Sequence, residues 1–119
     1  MIVKKITNEK ENEKPIFKYK KYPIIWYRIQ NMYNYLVEFF GTAFFIYVIL
    51  ATGNPLAIGA ALALVILLTS NISGGYINPA VTIVMASAGK LPTSELIPYC
   101  LAQVFGGLVA LELYKRYKL

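Results

Sequence analysis

Apolar positions run almost unbroken through three stretches, from about Leu36 to Thr52, Leu56 to about Ser70 and Glu95 to Leu111. The first is close to the ~20 residues that a helix needs to cross the hydrocarbon of a bilayer. Between the second and third the pattern breaks. Ser73 to Thr82 reads SGGYINPAVT, with two glycines, an Asn-Pro pair and several hydroxyl groups. Those residues do not suit an uninterrupted helix in lipid. Gly74 and Gly75 permit backbone angles that other residues avoid. Asn78 is a good N-cap, and Pro79 occupies the first helical position, where proline fits best. Ala80 to Met85 then read as a short apolar helix, which fades by Ala88-Gly89-Lys90. The pattern predicts a loop that enters the membrane, a half-helix that starts inside it, and a return to the same side. The expected fold class is an all-α, multi-pass membrane protein with three transmembrane helices and one re-entrant half-helix.

Irregular backbone survives at membrane depth only where it is buried in protein or lines a wet cavity. The N-terminus of a half-helix carries partial positive charge and free N–H groups. Asn78 can accept a capping bond with its side-chain oxygen and still present its amide donors. Two such amides meeting at mid-membrane would bind water or a hydroxyl, while the helix dipole opposed cations and protons.

Composition agrees with a membrane setting. The 119 residues are 57% hydrophobic and 15% charged, and the mean hydropathy is +0.50. Disorder is excluded, and an ordinary soluble domain fits poorly. The net charge of +6 invites a nucleic-acid reading, but its distribution argues otherwise. Eight of the twelve basic residues precede Tyr33, three lie in the last five positions, and Lys90 stands alone between them. Charge crowded at the ends of an apolar chain suits a membrane protein. The one cysteine, Cys100, lies in an apolar stretch and reads as a small core residue. With no histidine, three carboxylates in the charged N-terminus and the other three scattered over separate spans, no nucleophile, metal or phosphate site is recognisable. No enzyme activity, cofactor or metal is expected.

Two regions follow. Residues 1–34 read as a basic, aromatic N-terminal segment in the cytoplasm or at the membrane interface, and residues 35–119 as the transmembrane domain. Met1 to about Lys14 alternates Lys and Glu and is expected to be disordered or at most loosely helical, without a signal peptide. From Pro15 to Tyr35, Lys and Arg interleave with aromatics. Such a segment can stack on single-stranded nucleic acid or lie among lipid headgroups ahead of a span. The span that follows at once favours lipid, and no nucleic-acid partner is expected. A short surface helix is expected from Ile24 to Met32.

Glu38 is the one charge in the first stretch. Inside a span it must face protein; the alternative is an exposed carboxylate at headgroup level. Gly41 and Thr42, the Gly59 to Ala63 run, and Gln103, Gly106, Gly107 and Ala110 supply small or polar faces for close helix contact. Thr93 or Ser94 is expected to cap the third span.

ISGGYINPAVT resembles the first asparagine-proline-alanine loop of the aquaporin and glycerol-facilitator family. VEFFGTAFFIYVILATG, LAIGAALALVILLTSN and ELIPYCLAQVFGGLVAL are similar to that family's first three spans, in order and spacing. The resemblance covers about Tyr35 to Leu113. It implies a pore motif at Asn78, Pro79 and Ala80, set in a re-entrant loop of Ser73, Gly74, Gly75 and Tyr76. It implies that Glu38 accepts hydrogen bonds from that loop; Gln103 is taken as a second loop anchor. The family's constriction falls at Ile58, twenty positions before Asn78, with Val81 as a second candidate; the alternative for Ile58 is a lipid-facing or core aliphatic. Family members have two inverted halves, and the second brings an arginine after its motif. This sequence carries one half, with Val81 after Ala80. The expected function is a half-length channel subunit for water or small neutral solutes such as glycerol. Its pore would be completed by homo-oligomerisation, as an antiparallel dimer. The alternative is a non-conducting protein that pairs with a full-length channel.

Overall fold

The computed structural model describes residues 23–117. The stretch expected to be disordered, residues 1–14, and residues 15–22 of the basic, aromatic stretch lie outside them, as do residues 118–119. The chain divides into two compact units, Met1–Met32 and Tyr33–Leu119. Of the first, residues 23–32 supply the opening turns of a helix. The elements below belong to the second unless stated.

Helix α1 spans Ile24–Thr52, 29 residues. The separate surface helix predicted over Ile24 to Met32 is instead continuous with the first apolar stretch. No proline or glycine interrupts the chain from Ile24 to Phe40, so nothing breaks the hydrogen-bond ladder. At 1.5 Å per residue α1 is ~43 Å long, well over the ~30 Å of hydrocarbon. Helix α2, Pro55–Thr69, starts at a built cap: Asn54 Oδ1 accepts from the N–H groups of Leu56 at 2.9 Å and Ala57 at 3.2 Å, with Pro55 in the first turn. Its 15 residues span only ~22 Å. Helix α3, Pro79–Ser87, covers the short apolar stretch after Asn78. A 3₁₀ turn, Thr93–Glu95, leads into α4, Leu96–Arg116. That turn takes up Thr93 and Ser94, the expected caps; Glu95 stands at the N-cap of α4 without a side-chain capping bond. Among the described residues the regular structure is all helix. Two segments, α1 and Thr93–Arg116, are long and apolar enough to cross a membrane, whereas α2 is apolar but shorter.

The helices turn small and polar residues towards one another. The buried positions are Glu38 and Thr42 on α1, Ala61 and Val65 on α2, and Thr82 and Ala86 on α3, each pair four residues apart. On α4 they are Tyr99, Gln103, Gly106 and Ala110. Large apolar side chains such as Phe40, Leu67, Val84 and Phe105 are exposed. A soluble protein would not expose so much contiguous apolar surface. In lipid it costs nothing, and small residues let backbones approach closely.

Helices α1 and α4 approach closely at Gly106. A Cβ at Gly106 would collide with the main-chain carbonyl of Phe39, whereas one at Gly107 would meet Ile46 Cγ1 at an ordinary 3.6 Å. Gly106→Ala is therefore expected to lower stability in detergent by about 1–3 kcal/mol, and Gly107→Ala to leave it near wild type. Thermal unfolding of the two variants checks this pair.

Candidate functional site

The loop before α3 is built on one buried carboxylate. Glu38 is fully buried. Its Oε1 accepts from Ser73 Oγ at 2.8 Å and from the Tyr76 N–H at 3.0 Å. Its Oε2 accepts from the Ile77 N–H at 2.7 Å and from Gln103 Nε2 at 3.0 Å. All four contacts are donated to Glu38, three of them by the loop. Backbone N–H groups that no helix or strand could pair are thus satisfied inside the protein.

The loop backbone is held in uncommon conformations. Gly74 and Gly75 have φ of 98° and 65°, and Ile77 has φ of 63°. A left-handed conformation is unusual for a β-branched residue and costs about 1–2 kcal/mol. Three contacts offset it at Ile77. Its N–H goes to Glu38, its carbonyl accepts from Thr42 Oγ1 at 3.1 Å, and its side chain is buried. Tyr99 adds a fourth tie, donating from its hydroxyl to the Ser73 carbonyl at 2.8 Å.

The twist at Ile77 delivers Asn78 to the start of α3. Asn78 has extended backbone, and its Oδ1 accepts from the Ala80 N–H at 2.8 Å. Capping uses the side-chain oxygen, so Nδ2 is left over, and it donates to no group among the described residues. The Asn78 carbonyl accepts from the Thr82 N–H at 2.9 Å and from Thr82 Oγ1, also at 2.9 Å. Gln103 Nε2 donates to Thr82 Oγ1 at 2.8 Å, so Gln103 links Thr82 to Glu38. Because Glu38 only accepts, it sets which way the Gln103 amide faces.

Asn78 opens on a cleft of about 260 Å³ whose walls include Phe45, Ile46, Pro79, Gln103, Val104 and Gly107. No charged side chain lines it. The residues singled out from sequence fall in three places. Glu38, Ser73, Gly74, Gly75, Tyr76, Asn78 and Gln103 come together in the loop and its anchors. Ala80 and Val81 are exposed on the first turn of α3. Pro79 precedes them and is half-buried. Ile58 is half-buried in the first turn of α2, and neither it nor Val81 lines the cleft. Sequence reasoning missed Thr82, Tyr99 and the bond from Tyr35 to Glu95, 2.5 Å long across 60 residues. Thr82 had a signal, its place one helical turn after the Asn78 cap; the tyrosines had none.

Apolar helices packed through small residues, around a short helix capped at the mouth of an uncharged and largely apolar cleft, are the architecture of a membrane protein. The chain belongs to the major intrinsic protein family, whose model matches residues 25–118. It is 38% identical over 106 residues to aquaporin-8 of Notomys alexis, a match covering 80% of this chain and 40% of that protein. It is 39% identical over 88 residues to glycerol uptake facilitator protein-like 6 of Lactiplantibacillus plantarum, covering 66% of this chain and 41% of that one. Similarity to aquaporin Z of Bradyrhizobium diazoefficiens is 41% identity over 61 residues, 51% of this chain and 25% of that protein. The chain thus spans about two fifths of the length of the first relatives. No solved structure gave a significant match.

Glu38→Gln tests the anchor. An amide keeps one acceptor oxygen and places an NH₂ against donors, and the Tyr76 and Ile77 N–H groups cannot turn round to accept. The expected loss is about 2–4 kcal/mol of stability, with faster hydrogen exchange at the Tyr76 and Ile77 amides. Unchanged exchange at both would show that the loop does not depend on this carboxylate.

Proposed function

We propose that residues 35–119 form one half of a membrane channel for water and small neutral solutes such as glycerol, and that a second, inverted copy completes the pore. The observation that carries this reading is the state of Asn78. Its oxygen is committed to the Ala80 N–H, and its amide donors are left to an uncharged cleft that it lines. A donor pair in that position suits a water or hydroxyl oxygen. An ion would lose hydration without finding a counter-charge, and the positive end of α3 opposes cations. The names of the relatives, aquaporins and a glycerol uptake facilitator, support the same solute class. This chain does not close the cleft by itself, which leaves room for a second copy. An antiparallel partner would bring another Asn78 to the same depth.

Osmotic swelling of liposomes carrying the purified chain alone tests the proposal. Water and glycerol permeability several-fold above empty liposomes is expected, falling near background in Asn78→Asp. That change removes the amide donors and places a carboxylate in the path. Flux in an active protein that Asn78→Asp leaves intact would mean that Asn78 does not line the route.

A further inference from the structure

Helices α1 and α2 leave a groove of about 500 Å³ between them. On α1 it runs from Tyr33 to Phe44, with Gly41 and the buried Val65 at its floor and the exposed Phe40 and Leu68 at its rims. It is almost wholly apolar. No charged side chain lines it, and the Thr69 hydroxyl is spent on the Val65 carbonyl at 2.7 Å. The groove is separate from the Asn78 cleft. That cleft takes Thr42 and Ile46 from α1, whereas the groove takes Phe40 and Phe44. Each cleft residue is two positions on from a groove residue, which is about 200° round the helix. A copy docked over the cleft therefore leaves the groove uncovered. Gly41 is the wall between the two. A Cβ there would come within 2.8 Å of Ile77 Cδ1, and Ile77 lines the cleft.

Dimensions and charge select the occupant. From Tyr33 to Phe44 the groove is ~16 Å long, about half of the ~30 Å of hydrocarbon. Gly41, against Ile77, lies at the level of Asn78, read above as mid-membrane. The groove thus spans one leaflet. It starts at Tyr33, a half-exposed ring of the kind that suits the headgroup level, and ends near the midplane. Its mean cross-section is about 30 Å², against roughly 80–110 Å² for a helix with its side chains. A helix can lie across the rims but cannot enter. A methylene chain, about one ~4 Å carbon contact wide, can. The residues that precede Tyr33 in sequence carry eight of the twelve basic side chains and three of the six carboxylates. That excess of positive charge complements an anionic headgroup.

We propose that this groove holds one acyl chain of an anionic phospholipid, and that the chain supports the Ile77 turn from behind. The depth of the groove rests on the reading of Asn78 as a mid-membrane residue. The test reads no transport, so its failure leaves the channel reading standing. The protein is extracted from vesicles of equal parts phosphatidylglycerol and phosphatidylcholine with matched acyl chains, and native mass spectrometry reads the lipid that it keeps. One phosphatidylglycerol per chain, kept at least threefold over phosphatidylcholine, is the expected result. Val37→Trp fills the groove and Phe40→Ala removes a rim; each is expected to lower that retention at least threefold. Leu101→Trp, at an exposed position of α4 outside the groove, is expected to leave it unchanged. Added phosphatidylglycerol is expected to slow hydrogen exchange at the Ile77 amide in wild type and not in Val37→Trp. Equal retention of the two lipids, retention that Val37→Trp and Phe40→Ala leave intact, or the same loss in Leu101→Trp overturns the site. A lipid-free dimer that Val37→Trp and Phe40→Ala dissociate would place a second copy on the rims and overturn it too. Exchange at Ile77 that phosphatidylglycerol does not slow overturns the support of the turn.

Discussion

Backbone buried outside helices and strands must find hydrogen-bond partners inside the protein, and a buried carboxylate must find donors. In this chain the two requirements meet. Glu38, fully buried on α1, takes the N–H groups of Tyr76 and Ile77, the hydroxyl of Ser73 and the amide of Gln103. Either half without the other would leave several unpaired groups, each costing about 1–3 kcal/mol or more. The left-handed turn at Ile77, itself worth about 1–2 kcal/mol of strain, is small beside that. Everything at the mouth of α3 depends on this turn, because it brings Asn78 to the helix start with its oxygen on the Ala80 N–H and its amide free.

The same economy governs the helix contacts. Many of the buried positions are small or polar, and many bulky apolar residues point outwards. Lipid offers no hydrophobic force to press helices together, so close backbone approach and buried hydrogen bonds do that work. The collision that a Cβ at Gly106 would make with Phe39 shows how near α1 and α4 lie. It also explains how Gln103, one turn earlier on α4, reaches both Glu38 and Thr82.

Much of this is legible in the sequence where a residue type admits one local solution. Asn78 before Pro79 reads as a cap with an outward amide, and a lone glutamate in an apolar stretch reads as a residue facing protein. What is not legible depends on tertiary fit. Nothing in IleAsnPro announces a left-handed isoleucine, since sequence rules reserve that conformation for glycine or asparagine; Glu38 and Thr42 impose it. The turn at Thr93–Glu95 and the unbroken run of α1 into Ile24 are set by tertiary fit and by the absence of a breaker, not by a start signal. The hydroxyl partners of Tyr35 and Tyr99 lie 60 and 26 residues away, too far for any spacing rule.

An uncharged cleft, left open by this chain and fronted by an unpaired amide, is the feature from which the functional reading grows. Its completion by an inverted copy requires that the chain insert both ways. The most direct measurement is the orientation of the chain in the bilayer, with a reporter placed in turn at each terminus and access scored from both sides. Both termini reachable from both sides, in comparable amounts, is the expected result. A single orientation would contradict the pairing of inverted copies.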